Sequence, residues 1–216
     1  MGRARNRKKK LTLTERVGPR IRQARSSGAA YDSAEIGVAH HEAAHAVVDS
    51  LLGLPLEYVE IAVGDTGVEG FTSVLHPQWV HDWPASGGAA ALDNDQRAYL
   101  HANMMASLAG ALADRQFRPY SLTPDDDEHP HSDVGQVYSC LWALDGGDNE
   151  GCVQRAMNSL LAETNALLEK HWPQVQAVVA ALVQRRRLTG SEVKTLLDRQ
   201  ARAVFVAAQP QSDCVQ

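Results

Sequence analysis

Two histidines four residues apart, with a glutamate between them, lie inside a run of small and branched apolar residues: Val38-Ala39-His40-His41-Glu42-Ala43-Ala44-His45-Ala46-Val47-Val48. Alanine at this density favours a helix, and on a helix residues i and i+4 share one face. Such an apolar helix is suited to burial, so His41 and His45 are aimed together into a protein interior. Imidazole nitrogens placed this way can reach one metal ion at about 2.0–2.1 Å. Glu42 lies beside them, placed to take a proton from a water that the ion has made acidic. H-E-x-x-H on a helix therefore predicts zinc metallopeptidase chemistry, with zinc as cofactor and Glu42 as general base. His40 is turned about 100° away from His41 and reads as a packed neighbour.

The pattern around this helix predicts a mainly α domain with a small β-hairpin or sheet after the motif helix. Ser33 is a candidate N-cap, and Gly53 with Pro55 is a plausible stop near Leu52. Val59, Ile61 and Val63 then alternate with Glu60 and Ala62, as in a half-buried strand. Gly64-Asp65-Thr66-Gly67 is turn chemistry, and residues 70–75 read as the return strand. Residues 76–95 lack a period and read as loop. Leu100, Met104, Leu108 and Leu112 recur at helical spacing within 96–117. Further helices are expected at 133–144, 152–171, 173–186 and 191–207, with Pro173 in a first turn. Thr189-Gly190-Ser191-Glu192 has the form of a capping box.

A catalytic zinc needs a third protein ligand. The extension H-E-x-x-H-x-x-G-x-x-H does not supply it, because Val48 and Leu51 stand where Gly and His are required. The candidates further along are Asp114 and the acidic stretch Asp125, Asp126, Asp127, Glu128, His129, His131 and Asp133. Asp133 stands out because a helix pattern starts there, and a first helical turn holds a carboxylate still and favours its charge. Asp114 follows Ala109-Gly110, on a helix able to approach the motif helix closely, which suits a residue that orients a ligand imidazole.

Several segments, in order, resemble the peptidase domain of the FtsH family of membrane-anchored, ATP-dependent zinc proteases. The motif helix resembles H-E-A-G-H-A-V, with Ala44 in place of Gly, and Val59-Glu60-Ile61 with Gly70-Phe71-Thr72 resembles the family's substrate-binding strand region. Ala109-Gly110-Ala111-Leu112-Ala113-Asp114 resembles A-G-R-A-A-E, and Arg115 replaces the second acid that follows there. Ser132-Asp133-Val134 resembles N-D-L, and Leu188 to Val193 resembles the closing L-x-G-x-E-V. The resemblance implies a helical zincin-type peptidase domain. It implies zinc on His41, His45 and Asp133, and an extended substrate paired with the strand at Gly70, Phe71 and Thr72. No G-x-x-x-x-G-K-[ST] loop and no apolar stretch of spanning length occurs, so the expectation is a stand-alone peptidase domain.

Charge divides the chain unevenly. Residues 1–25 hold ten Lys or Arg against one acid, Glu15, while eleven basic and twenty-five acidic residues fall in 26–216. The expected organisation is a basic, flexible leader at 1–30, the metallopeptidase domain at 31–207 and a flexible tail at 208–216. The leader lacks the apolar core of a signal peptide, and Cys140, Cys152 and Cys214 form no paired framework, which predicts a cytoplasmic protein. The expected activity is cleavage of unfolded or flexible polypeptide, with a separate ATPase or adaptor as a possible supplier of clients. Two other readings are a catalytically idle binding or regulatory module that docks an acidic partner through the leader, and a zinc hydrolase acting on a non-peptide amide.

Overall fold

The helix that carries the motif, α1 (Gly28–Leu51), is the centre of the molecule. Ala39, Ala43, Ala44, Ala46, Val47 and Val48 are fully buried, and their small side chains let other elements pack closely around them. The structure, a computed structural model, describes residues 28–64, 67–83, 92–117, 132–145 and 149–207. The leader up to residue 27, the acidic stretch at 125–131 and the tail at 208–216 lie outside the described residues.

α1 starts five residues before the expected cap at Ser33, because Ala29 and Ala30 extend the helix backwards. It stops where Gly53 turns left-handed at φ +76°, and the Leu54 N–H returns to the Asp49 carbonyl. The chain then forms β1 (Leu56–Gly64) and β2 (Gly67–Val74), antiparallel, with Gly64 opposite Gly67. Val59 and Ile61 point into the core, whereas Val63, at the end of the hairpin, is exposed. A strand that the sequence does not announce, β3 (Arg187–Thr189), pairs with the other side of β1, giving the sheet order β2-β1-β3. Three residues are too few to carry a period-2 pattern, and Leu188 alone anchors the strand in the core.

The segment expected to be loop contains a short helix, α2 (Gln78–Asp82), followed by Trp83, which packs with Leu92 and Leu100 in a satellite cluster. One turn held by one buried indole leaves no periodic trace. Helix α3 (Asn94–Phe117) starts on a reciprocal cap between Asp93 and Gln96 and buries Leu100, Met104 and Leu108. Helix α4 (Asp133–Asp145) follows Ser132, whose hydroxyl accepts the Gly135 N–H.

The two helices expected at 152–171 and 173–186 join as one, α5 (Glu150–Arg185), kinked at His171. Proline has no N–H and its ring crowds the carbonyl four residues back, so Pro173 places the kink there. Arg186 ends α5 at φ 70°, gives its carbonyl to the Ile61 N–H and pairs with Glu35 of α1 at 2.5 Å. One residue thus ties α5, β1 and α1 together. In α6 (Gly190–Ala207) the capping box is made as written, the Thr189 N–H donating to Glu192 at 2.8 Å. The architecture is mainly helical with a small antiparallel sheet. No described helix is long and apolar enough to cross a membrane.

Candidate metal centre

α1 supplies His41 and His45, α3 passes across them, and the first turn of α4 brings Asp133 to the same point. The three ligand atoms form a nearly equilateral triangle. The two Nε2 atoms are 3.0 Å apart, and Asp133 Oδ2 lies 3.1 Å from His41 Nε2 and 3.3 Å from His45 Nε2. Tetrahedral bonds of 2.0–2.1 Å require ligand atoms about 3.3–3.4 Å apart, so the triangle is of the right size for one small cation.

The outer nitrogens fix what the inner ones can do. His45 Nδ1 is 2.7 Å from the Ala106 carbonyl, and His41 Nδ1 is 2.8 Å from Asp114 Oδ2. A carbonyl and a carboxylate only accept, so in each ring Nδ1 carries the hydrogen and neutral imidazole keeps a bare Nε2. In the neutral rings, two lone pairs and a carboxylate oxygen then face one another, a set that a proton or a metal cation can complete. Burial opposes charge on His41, yet hydrogen bonds to Asp114 and Asp133 outweigh it and push its pKa up to about 10. His45 is raised too, with burial opposing and Asp133 prevailing. Burial pushes the Asp133 carboxyl up, but its bonds to His41 and His45 hold it well below the usual carboxylate range. A proton answers part of this demand. Two charged rings with facing nitrogens 3.0 Å apart would repel, whereas one divalent ion satisfies all three atoms. The group His41, His45 and Asp133 can hold a metal ion.

Two glycines make room for the centre. A Cβ on Gly110 would overlap the Nε2 atoms of both histidines, so only glycine lets α3 cross the ligands. A Cβ on Gly70 would overlap the side chains of Glu42 and Val38. Glu42 is therefore held under β2, and its Oε2 accepts the Thr72 hydroxyl at 2.7 Å. Alternation along the strand puts Gly70 and Thr72 over Glu42, while the Phe71 ring is exposed and tilts against Tyr58 with centroids 6.0 Å apart.

The centre opens into a cleft of about 330 Å³ lined by His41, Glu42, His45, Asp133, the strand residues 70–72 and Asp49, among others. Asp114 touches His41 from behind instead of joining the triangle. The other third-ligand candidates, 125–129 and 131, lie outside the described residues. Sequence reading passed over Asp49, a buried acid that lines the cleft and whose carboxyl burial raises to about 7. Its position four residues after His45, on the ligand face of α1, was the available signal. His40 stacks on Trp172 and bonds the Ile36 carbonyl, away from the centre. No protein-family description matches the chain, and no curated protein matches it in sequence.

Proposed function

We propose that the chain is a zinc-dependent endopeptidase that hydrolyses unfolded or flexible polypeptide, a helical zincin-type domain similar to the peptidase of the FtsH family. The observation that carries this reading is the convergence of two bare imidazole nitrogens and a carboxylate beside a separate, fixed glutamate. Two nitrogens and one oxygen at tetrahedral spacing suit zinc, and three protein ligands leave a position open. Bound there, zinc would lower the pKa of water and polarise the scissile carbonyl.

The remaining work falls to the chain's own groups. Glu42 takes the proton of the attacking water and returns it to the departing amine. Thr72 holds one oxygen of that carboxylate in place, so the base is oriented before substrate arrives. Asp114 and the Ala106 carbonyl fix the tautomers of His41 and His45, keeping Nε2 available. The sheet order leaves β2 at an edge, and among the described residues no strand covers its outer side. An extended peptide added there runs over Glu42 with its amides paired to 70–72. The free thiols of Cys140 and Cys152 suit the reducing, cytoplasmic setting that belongs to this reading.

The test combines elemental analysis with casein cleavage. About one zinc per chain is expected, with cleavage abolished in Glu42→Gln while zinc is retained. A protein that binds zinc but cleaves neither casein nor flexible peptides would leave a metal-binding module instead of a peptidase.

A further inference from the structure

Asp49 lies four residues beyond His45 and eight beyond His41, so it continues the row of side chains that carries the ligands, roughly 6 Å further along the axis. The residue is only 3% exposed, yet it lines the cleft together with Val74, His76 and Asn103. Buried carboxyl groups are ordinarily paired, and no hydrogen bond or ion pair to this one occurs among the described residues.

Three internal roles are closed to it. It stands outside the group His41, His45 and Asp133 that can hold the metal. It does not orient His45, whose Nδ1 is taken by the Ala106 carbonyl and whose Nε2 faces the centre. The nearby Tyr99 hydroxyl makes its hydrogen bond with His76 Nδ1 at 2.9 Å, and among the described residues none joins it to Asp49. A group entering the cleft can reach Asp49, because the residue lines it.

We propose that Asp49 is the specificity-determining residue of the cleft and receives the cationic end of a substrate lysine or arginine; this rests on the endopeptidase reading above. The spacing suits such a side chain. Four methylenes in lysine, or three with the guanidinium in arginine, carry the charge roughly 6 Å from Cα, the same order as the rise along α1 from His45 to Asp49. Val74 offers an apolar surface for the stem, and Asn103 a polar neighbour for the head. A cation seated beside the carboxyl group holds it ionised and offsets the cost of its burial.

The test uses the zinc-loaded full chain and quenched fluorogenic peptides that differ only by Lys or Arg against Met, swept along the sequence. At one position the basic peptide is expected to give a kcat/KM at least about tenfold higher, the range of a charged hydrogen bond. Asp49→Asn should collapse that ratio to within about twofold with zinc content unchanged. Calorimetric binding of the same peptides to the Glu42→Gln chain needs no turnover. The same preference is expected there, and its loss when Asp49→Asn is added. Equal treatment of basic and neutral peptides by the wild-type chain, or a preference that survives Asp49→Asn, overturns the proposal. Absent cleavage with an Asp49-dependent binding preference upholds the cation site and sinks only the endopeptidase reading.

Discussion

His41 and His45 each commit one nitrogen to the protein and keep the other for the centre, so the residues behind them are as specific as the ligands. Their removal has graded consequences. Asp133→Ala deletes one corner of the triangle and should lower zinc affinity by at least about a hundredfold, as read by competition with a chelating dye. Asp114→Asn keeps the shape but weakens the grip on the His41 tautomer, and a loss of about tenfold is expected with zinc still bound at stoichiometric loading. Equal losses in the two variants would place Asp114 among the ligands. Asp49 gives a pH signature of its own. Burial raises its pKa from 3.8 to about 7, so between these values the folded chain keeps a proton that the unfolded chain has released. Stability from this group therefore falls as pH rises through that window, and above it the full cost is present, on the order of 4 kcal/mol at most. Asp49→Asn should raise the Tm at about pH 8 and leave it unchanged near pH 4, measured by thermal melts with zinc held constant. A variant that melts lower at both pH values would mean that the carboxylate has a stabilising partner.

Helix α3 is where an element, more than any residue, decides the site. Its carbonyl at Ala106 holds His45, its Asp114 holds His41, and between them Gly110 passes across both rings. Gly110→Ala sets two effects against each other. Helix propensity alone favours alanine by about 1 kcal/mol, whereas the added methyl overlaps two ligand nitrogens. The clash falls on the least movable atoms of the site, so it should win. The expected outcome is zinc affinity reduced by more than about tenfold, with helix content by circular dichroism kept or raised. Retained affinity would show that α3 can shift away without cost. The crossing of α3 over α1 was only partly legible. Ala109-Gly110 reads as a close-packing pair, but nothing in the spacing of 106, 110 and 114 says which atoms they meet 61–73 residues earlier.

At the scale of the molecule, the metal would join elements that the chain separates widely, since His41 and Asp133 are 92 residues apart. A ligand that binds only the folded state stabilises it by about 2.7 kcal/mol at a hundred times its Kd, which for a domain of this size is about 5–10 °C in Tm. Chelation should lower the melting temperature by that amount, and zinc should restore it. An unchanged Tm would mean that no ion is held in the folded chain. Deleting residues 1–25 should leave zinc content unaltered, because the ligands and the groups that orient them all lie between 41 and 133. Zinc analysis of the shortened chain checks this.

The sequence alone determined whatever depends on neighbours within one element. The 3.6-residue period sets His41, Glu42 and His45 on the motif helix, and local chemistry writes the stop at Gly53, the β1–β2 hairpin and the cap at Thr189. Pro173 likewise marked the break in α5, though not that the two halves join. Asp133 was one acid among several, chosen for its place at a helix start, and its distance from the histidines is a property of packing. The strand β3, the single turn of α2 and the burial of Asp49 left no period to read. Each depends on residues far apart in the chain: Leu188 against the core, Trp83 against Leu100, and Asp49 in a cleft that Val74, His76 and Asn103 also line. Local torsion and hydrogen bonding act within a few residues, so they are written in order along the sequence. The closing of a cavity depends on which distant surfaces exclude water from one another, and only the folded chain decides that.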